Sequence, residues 1–332
     1  MTVDPLNVGV EPTRLDGDPL SQSHMYRRSN FPIPSQAPDG FDVNIPGAAT
    51  RHLTVARLAI HAEVRLDMVL ECAGNGRALM SPVPNGTPWG LDAVSPITVR
   101  GARLRDVLGD MSPRVECVVF TGADVGTIPG EGTQPYQFSI GRELAESPDP
   151  ILATHIDEEP LTLEHGAPVR LIVPGHYAMK SVKWLTRIDV LEHEFDGHFV
   201  RKYRYYEDES RPQGAAVGEI AVRSIISSHV GGATVPAGKV DVLGSAWSGV
   251  GAIVDVEVSA NAGQEWREAR LSDPAGRFGP VKWSATFELE PGSATLMARA
   301  TDAGGLTQPL EARWNANGYA NNVVQRVEIS VR

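Results

Sequence analysis

The sequence predicts two domains of different class, an α+β domain followed by an all-β immunoglobulin-like sandwich. Up to about residue 205, short strand-like and helix-like segments are separated by many prolines and glycines, which favours short elements. Over the last 110 or so residues the pattern changes to alternating apolar and polar positions. That alternation is typical of half-buried antiparallel strands.

These changes in pattern predict four segments along the chain. Residues 1–40 are rich in Pro, Gly and polar residues and are expected to form an extended N-terminal arm. Residues 41–206 are predicted to form the α+β domain, which we expect to bind the substrate and any cofactor. Residues 207–219 are charged and end in small residues, as linkers often do. Residues 220–332 are predicted to form the sandwich.

Three elements can be assigned in the first half. The segment Leu104–Leu108 carries three apolar residues on one helical face and predicts a short helix. The apolar run Val169–Val173 stops at Pro174-Gly175 and predicts a strand followed by a turn. The segment Ser181–Leu191 predicts a further strand.

Four elements can be assigned in the second half. Apolar residues recur at every second position in residues 254–259, 285–290, 296–301 and 327–332, with Gly, Pro and Asp between the segments. Strands at this spacing predict an immunoglobulin-type sandwich. The chain lacks the Cys…Trp…Cys signature of true immunoglobulin domains, so the likeness is one of architecture.

Composition argues against several functions. The formal net charge is −11, from 41 acidic and 30 basic residues, which argues against binding to nucleic acid or to an anionic membrane. No apolar run reaches the roughly 18–20 residues that a membrane helix needs. The N-terminal residues show no secretory signal, so we expect a cytoplasmic protein, or a periplasmic one only if a leader has been removed.

The two cysteines, Cys72 and Cys117, lie in different surroundings. A disulfide between them is conceivable, but without a secretion signal reduced thiols are the expected state. Cys117 falls in an alternating apolar segment and is predicted to be buried. Cys72 is followed by Gly and Asn, which favours a functional loop.

The segment Glu71–Arg77 carries the strongest chemical signal. Glycines beside a thiol let the backbone approach a bulky ligand, because they have no Cβ to clash. A thiolate is a soft donor that suits a transition metal. Arg77 is placed to stabilise the ionised sulfur or to hold an anionic substrate.

This segment resembles the cysteine loop of the sulfite oxidase family, in which the cysteine ligates the molybdenum of the molybdopterin cofactor (Moco). The resemblance extends over nearly the whole chain from about residue 25. Further motifs follow in the family's order: Tyr26–Pro34, Trp89–Asp92, Phe120–Asp124, His165–Gly175, Lys180–Leu185, Gly244–Gly249 and Trp314–Tyr319. The resemblance implies a sulfite-oxidase-type molybdopterin domain followed by a dimerisation domain, and therefore a homodimer.

Several residues in these motifs suit a pterin with a phosphate tail. His165, Arg170 and Lys183 can supply charge-assisted bonds to a phosphate. Asp124 can accept from pterin N–H groups, and backbone N–H groups of residues 181–183 can contribute without charge. The resemblance implies a cofactor site formed by Tyr26, Arg28, Asn30, Cys72, Asp124, His165, Arg170, Ser181, Val182 and Lys183.

The resemblance also implies catalytic roles. Cys72 would ligate the metal, and Arg28 and Arg77 would position an oxyanion substrate, because a guanidinium offers paired donors. The alternative for both arginines is a structural, ion-paired role. The family places a tyrosine near the reacting oxygen, and Tyr203 is the candidate here. Tyr205 is the second candidate, because this segment is one residue out of step with the family pattern.

Four positions depart from that pattern. Asn30, Ser29, Gly76 and Asn317 stand where sulfite-oxidising members usually have histidine, asparagine, a basic residue and arginine. Fewer positive charges would weaken the binding of sulfite. These changes put the identity of the substrate in doubt more than that of the cofactor.

The implied function is molybdenum-dependent oxygen-atom transfer, with sulfite or a related small sulfur oxyanion as the substrate. The chain has no Cys-x-x-Cys-His haem motif, so electrons would pass to a separate acceptor, a cytochrome or a small molecule. One alternative is a molybdopterin enzyme working reductively on nitrate or an S-oxide. Another is a non-enzymatic protein that carries the cofactor or mediates adhesion.

Overall fold

The computed structural model describes residues 2–3 and 6–332, which form 22 strands and four short helices. The helices are α1 (Val55–Leu58), α2 (Leu104–Leu108), α3 (Arg142–Glu146) and α4 (His198–Lys202). The predicted helix at Leu104–Leu108 is confirmed as α2, and it ends at Gly109 in a positive-φ conformation (74°) that glycine adopts freely. Within the described residues, no helix has the length and apolar character needed to cross a membrane.

The strands are mostly short. They are β1 (Thr2–Val3), β2 (Leu6–Val8), β3 (Arg27–Arg28), β4 (Phe41–Asn44), β5 (Arg51–Leu53), β6 (Glu63–Glu71), β7 (Val94–Arg103), β8 (Cys117–Ile128), β9 (Gly132–Gly141), β10 (Ile151–Ile156), β11 (Glu159–Pro160), β12 (Arg170–Ile172), β13 (Leu185–Leu191), β14 (Arg223–Ile226), β15 (Thr234–Val235), β16 (Gly238–Trp247), β17 (Ile253–Ser259), β18 (Arg267–Glu268), β19 (Arg270–Leu271), β20 (Val281–Leu289), β21 (Gly292–Asp302) and β22 (Gln325–Val331).

The chain divides into two compact units that do not follow sequence order. The first unit contains the described residues of Met1–Gly9 with Ser21–Leu66 and Ile97–Arg204. The second unit contains Val10–Leu20, Asp67–Pro96 and Tyr205–Arg332. The segment that carries Cys72 therefore folds with the C-terminal part of the chain. The four sequence segments proposed above stay predictions, because contacts rather than sequence order define these units.

The first unit is built on β-sheets with short helices at their margins. One sheet has the strand order β5-β4-β13-β8-β9, in which β13 is parallel to β4 and antiparallel to β8. Within this unit, a second sheet has the order β11-β10-β7, and β12 also pairs with β10. The strand predicted over Ser181–Leu191 begins only at Leu185, because the preceding residues form a turn in which Trp184 has a positive φ of 49°.

The second unit contains the predicted sandwich. Its two sheets have the orders β14-β16-β20-β19 and β15-β22-β21-β17-β18. Alternate side chains of both sheets form one apolar core, which includes Val242, Trp283, Phe287, Val256, Leu296, Ala298, Val327 and Ile329. The four alternating segments are confirmed as strands β17, β20, β21 and β22, apart from Glu290 and Arg332, which follow the ends of β20 and β22.

One position in this alternation was predicted wrongly. Val254 should point inwards, yet its side chain is 56% exposed. A register shift between Ile253 and Asp255 in the pairing of β17 with β21 explains the difference. Such a bulge inserts an unpaired residue and re-aims the side chain.

Candidate active site

The cysteine segment, Glu71–Arg77, is a tight turn at the end of β6 in the second unit. The Cys72 N–H donates to Ala93 O (2.9 Å), and the Cys72 carbonyl accepts from Asn75 N (2.9 Å). Gly76 has a φ of 82°, and a Cβ at this position would lie 3.1 Å from Asn321 O. Both the conformation and the space therefore favour glycine where the family pattern has a basic residue. Cys72 itself is a half-buried free thiol.

A buried carboxylate precedes this thiol. Glu71 is fully buried and accepts hydrogen bonds from Asn75 Nδ2 (3.0 Å) and Trp247 Nε1 (2.8 Å). Arg223 Nε lies 3.0 Å from Glu71 Oε1 in a buried ion pair, although its N–H is not aimed well enough for a hydrogen bond. A buried charge needs such compensation, because leaving water is costly for an ion.

Arg77 is buried and its guanidinium is held by backbone carbonyls. Nε donates to Asn317 O (2.9 Å), and Nη1 donates to Thr87 O (2.6 Å). A Cβ at Gly74 would lie 2.7 Å from Nη2, so glycine is needed beside this group. No hydrogen bond within the described residues uses Nη2. Arg77 therefore combines a structural role with a donor left for an anion.

A basic cluster, comprising Arg28, His165, Arg170 and Lys183, lies in the first unit. Arg170 is buried, and it donates from Nη1 to His165 O (3.0 Å) and from Nη2 to Ser181 O (3.3 Å). Its Nε is buried with no hydrogen-bond partner in the described part of the chain. An unpaired buried donor is costly, and a bound acceptor would remove that cost.

Lys183 is held in the same cluster. Its ammonium donates to Ser29 Oγ (2.9 Å) and to Glu164 O (3.2 Å), and it lies 4.1 Å from the centre of the Trp184 ring. Gly166 packs against its stem, because a Cβ there would lie 2.9 Å from Lys183 Cβ. The lysine is therefore fixed in position.

The electrostatics of the cluster favour an anionic ligand. Burial and the neighbouring Arg170 lower the pKa of Lys183, while burial raises the pKa of Asp124 against the opposing effect of Lys183. Burial, followed by Arg170 and Lys183, lowers the pKa of His165 to about 3. Its ring is therefore neutral at pH 7, and Nε2–H donates to Gln22 O (2.8 Å). Burial also lowers the pKa of Arg170 to about 10.

The remaining predicted cofactor residues of the first unit lie around this cluster. Arg28 donates from Nη1 to Ser29 O and from Nη2 to Asn30 Oδ1 (3.0 Å). Tyr26 is buried and interacts electrostatically with Arg170. Ser181 Oγ accepts from Val173 N (3.1 Å).

Both backbone groups of Val182 form hydrogen bonds within the protein. Its N–H donates to Lys180 O (3.2 Å), and its carbonyl accepts from Leu171 N (2.8 Å). The expectation that the backbone N–H groups of residues 181–183 donate to a ligand stays a prediction.

The two candidate tyrosines belong to different units. Tyr203 lies in the first unit, half-buried, with its ring centroid 6.2 Å from that of Phe138. Tyr205 lies in the second unit, where it is buried beneath the Arg211 guanidinium at 3.8 Å. Burial raises the pKa of Tyr205 to about 12. The choice of Tyr203 stays a prediction.

Each unit thus groups part of the predicted site. The first unit contains Tyr26, Arg28, Asn30, Asp124, His165, Arg170, Ser181, Val182, Lys183 and Tyr203, and the second contains Cys72 and Arg77. Sequence reasoning missed the residues that hold these side chains, namely Gln22, Glu71, Arg223, Trp247 and Asn321. Glu71 adjoins Cys72 in the sequence, but nothing in the pattern shows that its carboxylate is buried.

These residues fit a molybdenum cofactor. The basic cluster offers buried cations and an unpaired Arg170 Nε to a phosphate. Within residues 2–3 and 6–332, no group of three or more His, Cys, Asp and Glu could hold a metal alone. Cys72 would offer a soft thiolate to the molybdenum, and the pterin dithiolene would supply further sulfur ligands.

Comparison with known proteins agrees with this fit. The family model "Oxidoreductase molybdopterin binding domain" matches residues 30–199, and "Mo-co oxidoreductase dimerisation domain" matches residues 215–332. Sulfite oxidase of Gallus gallus is 32% identical over 91% of this chain and 71% of that protein. This chain belongs to the sulfite oxidase family of molybdopterin oxidoreductases. It is therefore an enzyme that uses a molybdenum cofactor and carries the family's dimerisation domain.

Two further relatives define the extent of the match. The mitochondrial sulfite oxidase of Drosophila melanogaster is 32% identical over 92% of this chain, which spans 58% of that protein's length. The crystal structure of the sulfane dehydrogenase SoxCD from Paracoccus pantotrophus superposes with a TM-score of 0.81 at 22% identity, covering 96% of this chain and 82% of that one. The latter similarity confirms the fold.

Proposed function

We propose that this sulfite oxidase family member oxidises sulfite or a related small sulfur compound and passes the electrons to a separate acceptor. The observation that carries the proposal is the half-buried Cys72 thiol on a turn shaped by glycines. The names of the relatives, sulfite oxidase and sulfane dehydrogenase, support a sulfur substrate. The domain matched over residues 215–332 supports a homodimer.

Each group of residues has a role in this proposal. Cys72 would ligate the molybdenum as a thiolate, while Arg170 and Lys183 would hold the phosphate of the pterin. The neutral ring of His165 donates its one N–H to Gln22 O, so His165 would act through its carbonyl oxygen, which accepts from Arg170 Nη1. Asp124 accepts from pterin N–H groups. When bound, the cofactor supplies two-electron oxygen-atom transfer, and the protein supplies orientation and charge.

The arginines orient the substrate. Arg77 is fixed by two carbonyls, so its free Nη2 donors can meet an oxyanion with little loss of side-chain entropy. Arg28 is fixed by Ser29 and Asn30 in the same manner. Tyr203 is proposed to donate a hydrogen bond to the substrate oxygen.

Metal and pterin analysis of the Cys72→Ser protein tests the metal ligand. We expect the wild-type protein to contain molybdenum and pterin, and the variant to lose its turnover together with the thiolate signature of its molybdenum spectrum. Cys117→Ser is the matched control, because Cys117 is the other free thiol and is buried. A Cys72→Ser protein with the wild-type molybdenum spectrum and turnover would contradict the proposal.

The direction of the reaction needs a separate assay. Molybdenum-loaded protein is mixed with sulfite and an artificial electron acceptor, and in parallel with nitrate or a sulfoxide and a reduced dye. We expect turnover with sulfite. Turnover only in the reductive assay would replace sulfite oxidation with the reductive alternative.

A further inference from the structure

Three residues of the C-terminal part of the second unit bind the cysteine segment through an ion pair and hydrogen bonds. This part of the chain therefore has a role besides dimerisation. Arg223 and Trp247 are directly paired residues on the neighbouring strands β14 and β16. Side chains of directly paired residues point to the same face of a sheet. Both reach Glu71, Arg223 through the ion pair at 3.0 Å and Trp247 through a hydrogen bond of 2.8 Å.

The third residue, Asn321, binds the other end of the cysteine segment. Asn321 Nδ2 donates to Gly76 O (2.6 Å), and Arg223 Nη2 donates to Asn321 O. The next backbone contact is Ala320 N to Ala73 O (2.7 Å). The segment is therefore held at residues 71, 73 and 76, on both sides of Cys72.

Burial gives these contacts their rigidity. The side chains of Glu71 and Arg223 are 0% and 1% exposed, and Asn321 is 3% exposed. Hydrogen bonds and ion pairs away from water are not weakened by solvent competition. Asn75 adds a link inside the turn, because it bonds both Glu71 Oε1 and Ala93 N.

We infer that Glu71, Arg223, Trp247 and Asn321 are positioning residues that hold the Cys72 thiol in the orientation the metal requires. The inference rests on the proposed function of Cys72 as the metal ligand. It assigns the sandwich a part in building the metal site. None of the four residues is required to touch substrate or cofactor.

The first test measures alkylation of Cys72 in cofactor-free, full-length protein, with modified peptides identified by mass spectrometry. Glu71→Gln keeps the size of the side chain but leaves the Arg223 charge unpaired. We expect alkylation of Cys72 to accelerate by about tenfold as the segment opens locally, while buried Cys117 stays at its wild-type rate.

A matched control separates positioning from general loss of stability. Arg299→Met breaks another ion pair of the sandwich, between Arg299 Nε and Glu257 Oε2 at 2.7 Å. It should leave the Cys72 alkylation rate within about twofold of wild type. Trp247→Phe removes the N–H that donates to Glu71 together with part of the ring, but leaves both charges of the ion pair in place, and it serves as a second variant if Glu71→Gln does not fold.

The double variant Glu71→Gln/Arg223→Met distinguishes a role in positioning Cys72 from a role in overall stability. The double variant no longer buries an unpaired Arg223 charge, so its melting temperature should be higher than that of Glu71→Gln. The contacts to the cysteine segment are still missing, so Cys72 alkylation should stay fast. The molybdenum EPR line shape of the loaded protein should differ from that of wild type in both Glu71→Gln and the double variant. Recovery of alkylation together with the melting temperature, or unchanged alkylation in all variants, would overturn the inference.

Failure of the proposed function has a different signature. A Cys72→Ser protein that keeps the wild-type molybdenum EPR signal would show that Cys72 is not the ligand. The alkylation rates of cofactor-free protein would not depend on that outcome.

Discussion

At the scale of single residues, the basic cluster of the first unit carries an electrostatic cost in the absence of a ligand. His165 shows this cost most clearly, because its ring stays neutral between about pH 6.5 and pH 3, where an exposed histidine is protonated. Burial, Arg170 and Lys183 together lower its pKa to about 3. Nε2–H donation to Gln22 O stabilises the neutral ring.

The pH dependence of stability follows from this shift. Below about pH 6.5 the unfolded chain binds a proton at His165 that the folded protein does not, so the free energy of unfolding falls as the pH falls. The slope for one such group is about 1.4 kcal/mol per pH unit. We expect His165→Gln to lose about this much slope between pH 6 and pH 4.5, as measured by urea unfolding of cofactor-free protein.

The control for this prediction is His24→Gln, because His24 is exposed and is not part of the basic cluster. His176, whose pKa burial lowers to about 4, remains in both variants and contributes equally. Equal slopes for the wild-type and His165→Gln proteins would show that His165 is protonated when folded.

At the scale of elements, the basic cluster is positioned by the turns that precede and follow β12. The turn before β12 contains Gly166, which packs against Lys183. Gly166 has a φ of 103°, and an added Cβ would lie 2.9 Å from Lys183 Cβ. We expect Gly166→Ala to cost about 2–4 kcal/mol of unfolding free energy, from backbone strain and from displacement of Lys183. It should also reduce the pterin content of purified protein.

Gly130→Ala isolates the effect of that contact. Gly130 also has a positive φ, 81°, but an added Cβ would meet nothing within 4 Å. This control should show only the backbone cost, about 1–2 kcal/mol, and an unchanged pterin content. Equal losses in the two variants would mean that Lys183 adapts without consequence.

At the scale of the whole molecule, sequence patterns predicted local structure better than long-range pairing. The helix α2 and the sandwich strands leave a periodic trace, and the motif around His165 indicated a cation cluster before the structure did. The pairing of Glu71 with Arg223 leaves no such trace, because opposite charges far apart in sequence resemble ordinary surface residues. The bulge that exposes Val254 was invisible for a similar reason, since it depends on the partner strand.

The grouping of Asp67–Pro96 with Tyr205–Arg332 leads to a prediction about the linker. A protease site inserted after Pro212, which is exposed, would cut the chain between these two parts of the second unit. Because buried contacts such as Glu71–Arg223 join the parts, we expect the two fragments to co-elute in gel filtration after cleavage. The same cleavage in Glu71→Gln protein should release the C-terminal fragment more readily. Separation of the wild-type fragments under native conditions would show that these contacts are too weak to hold the C-terminal sandwich to the cysteine segment.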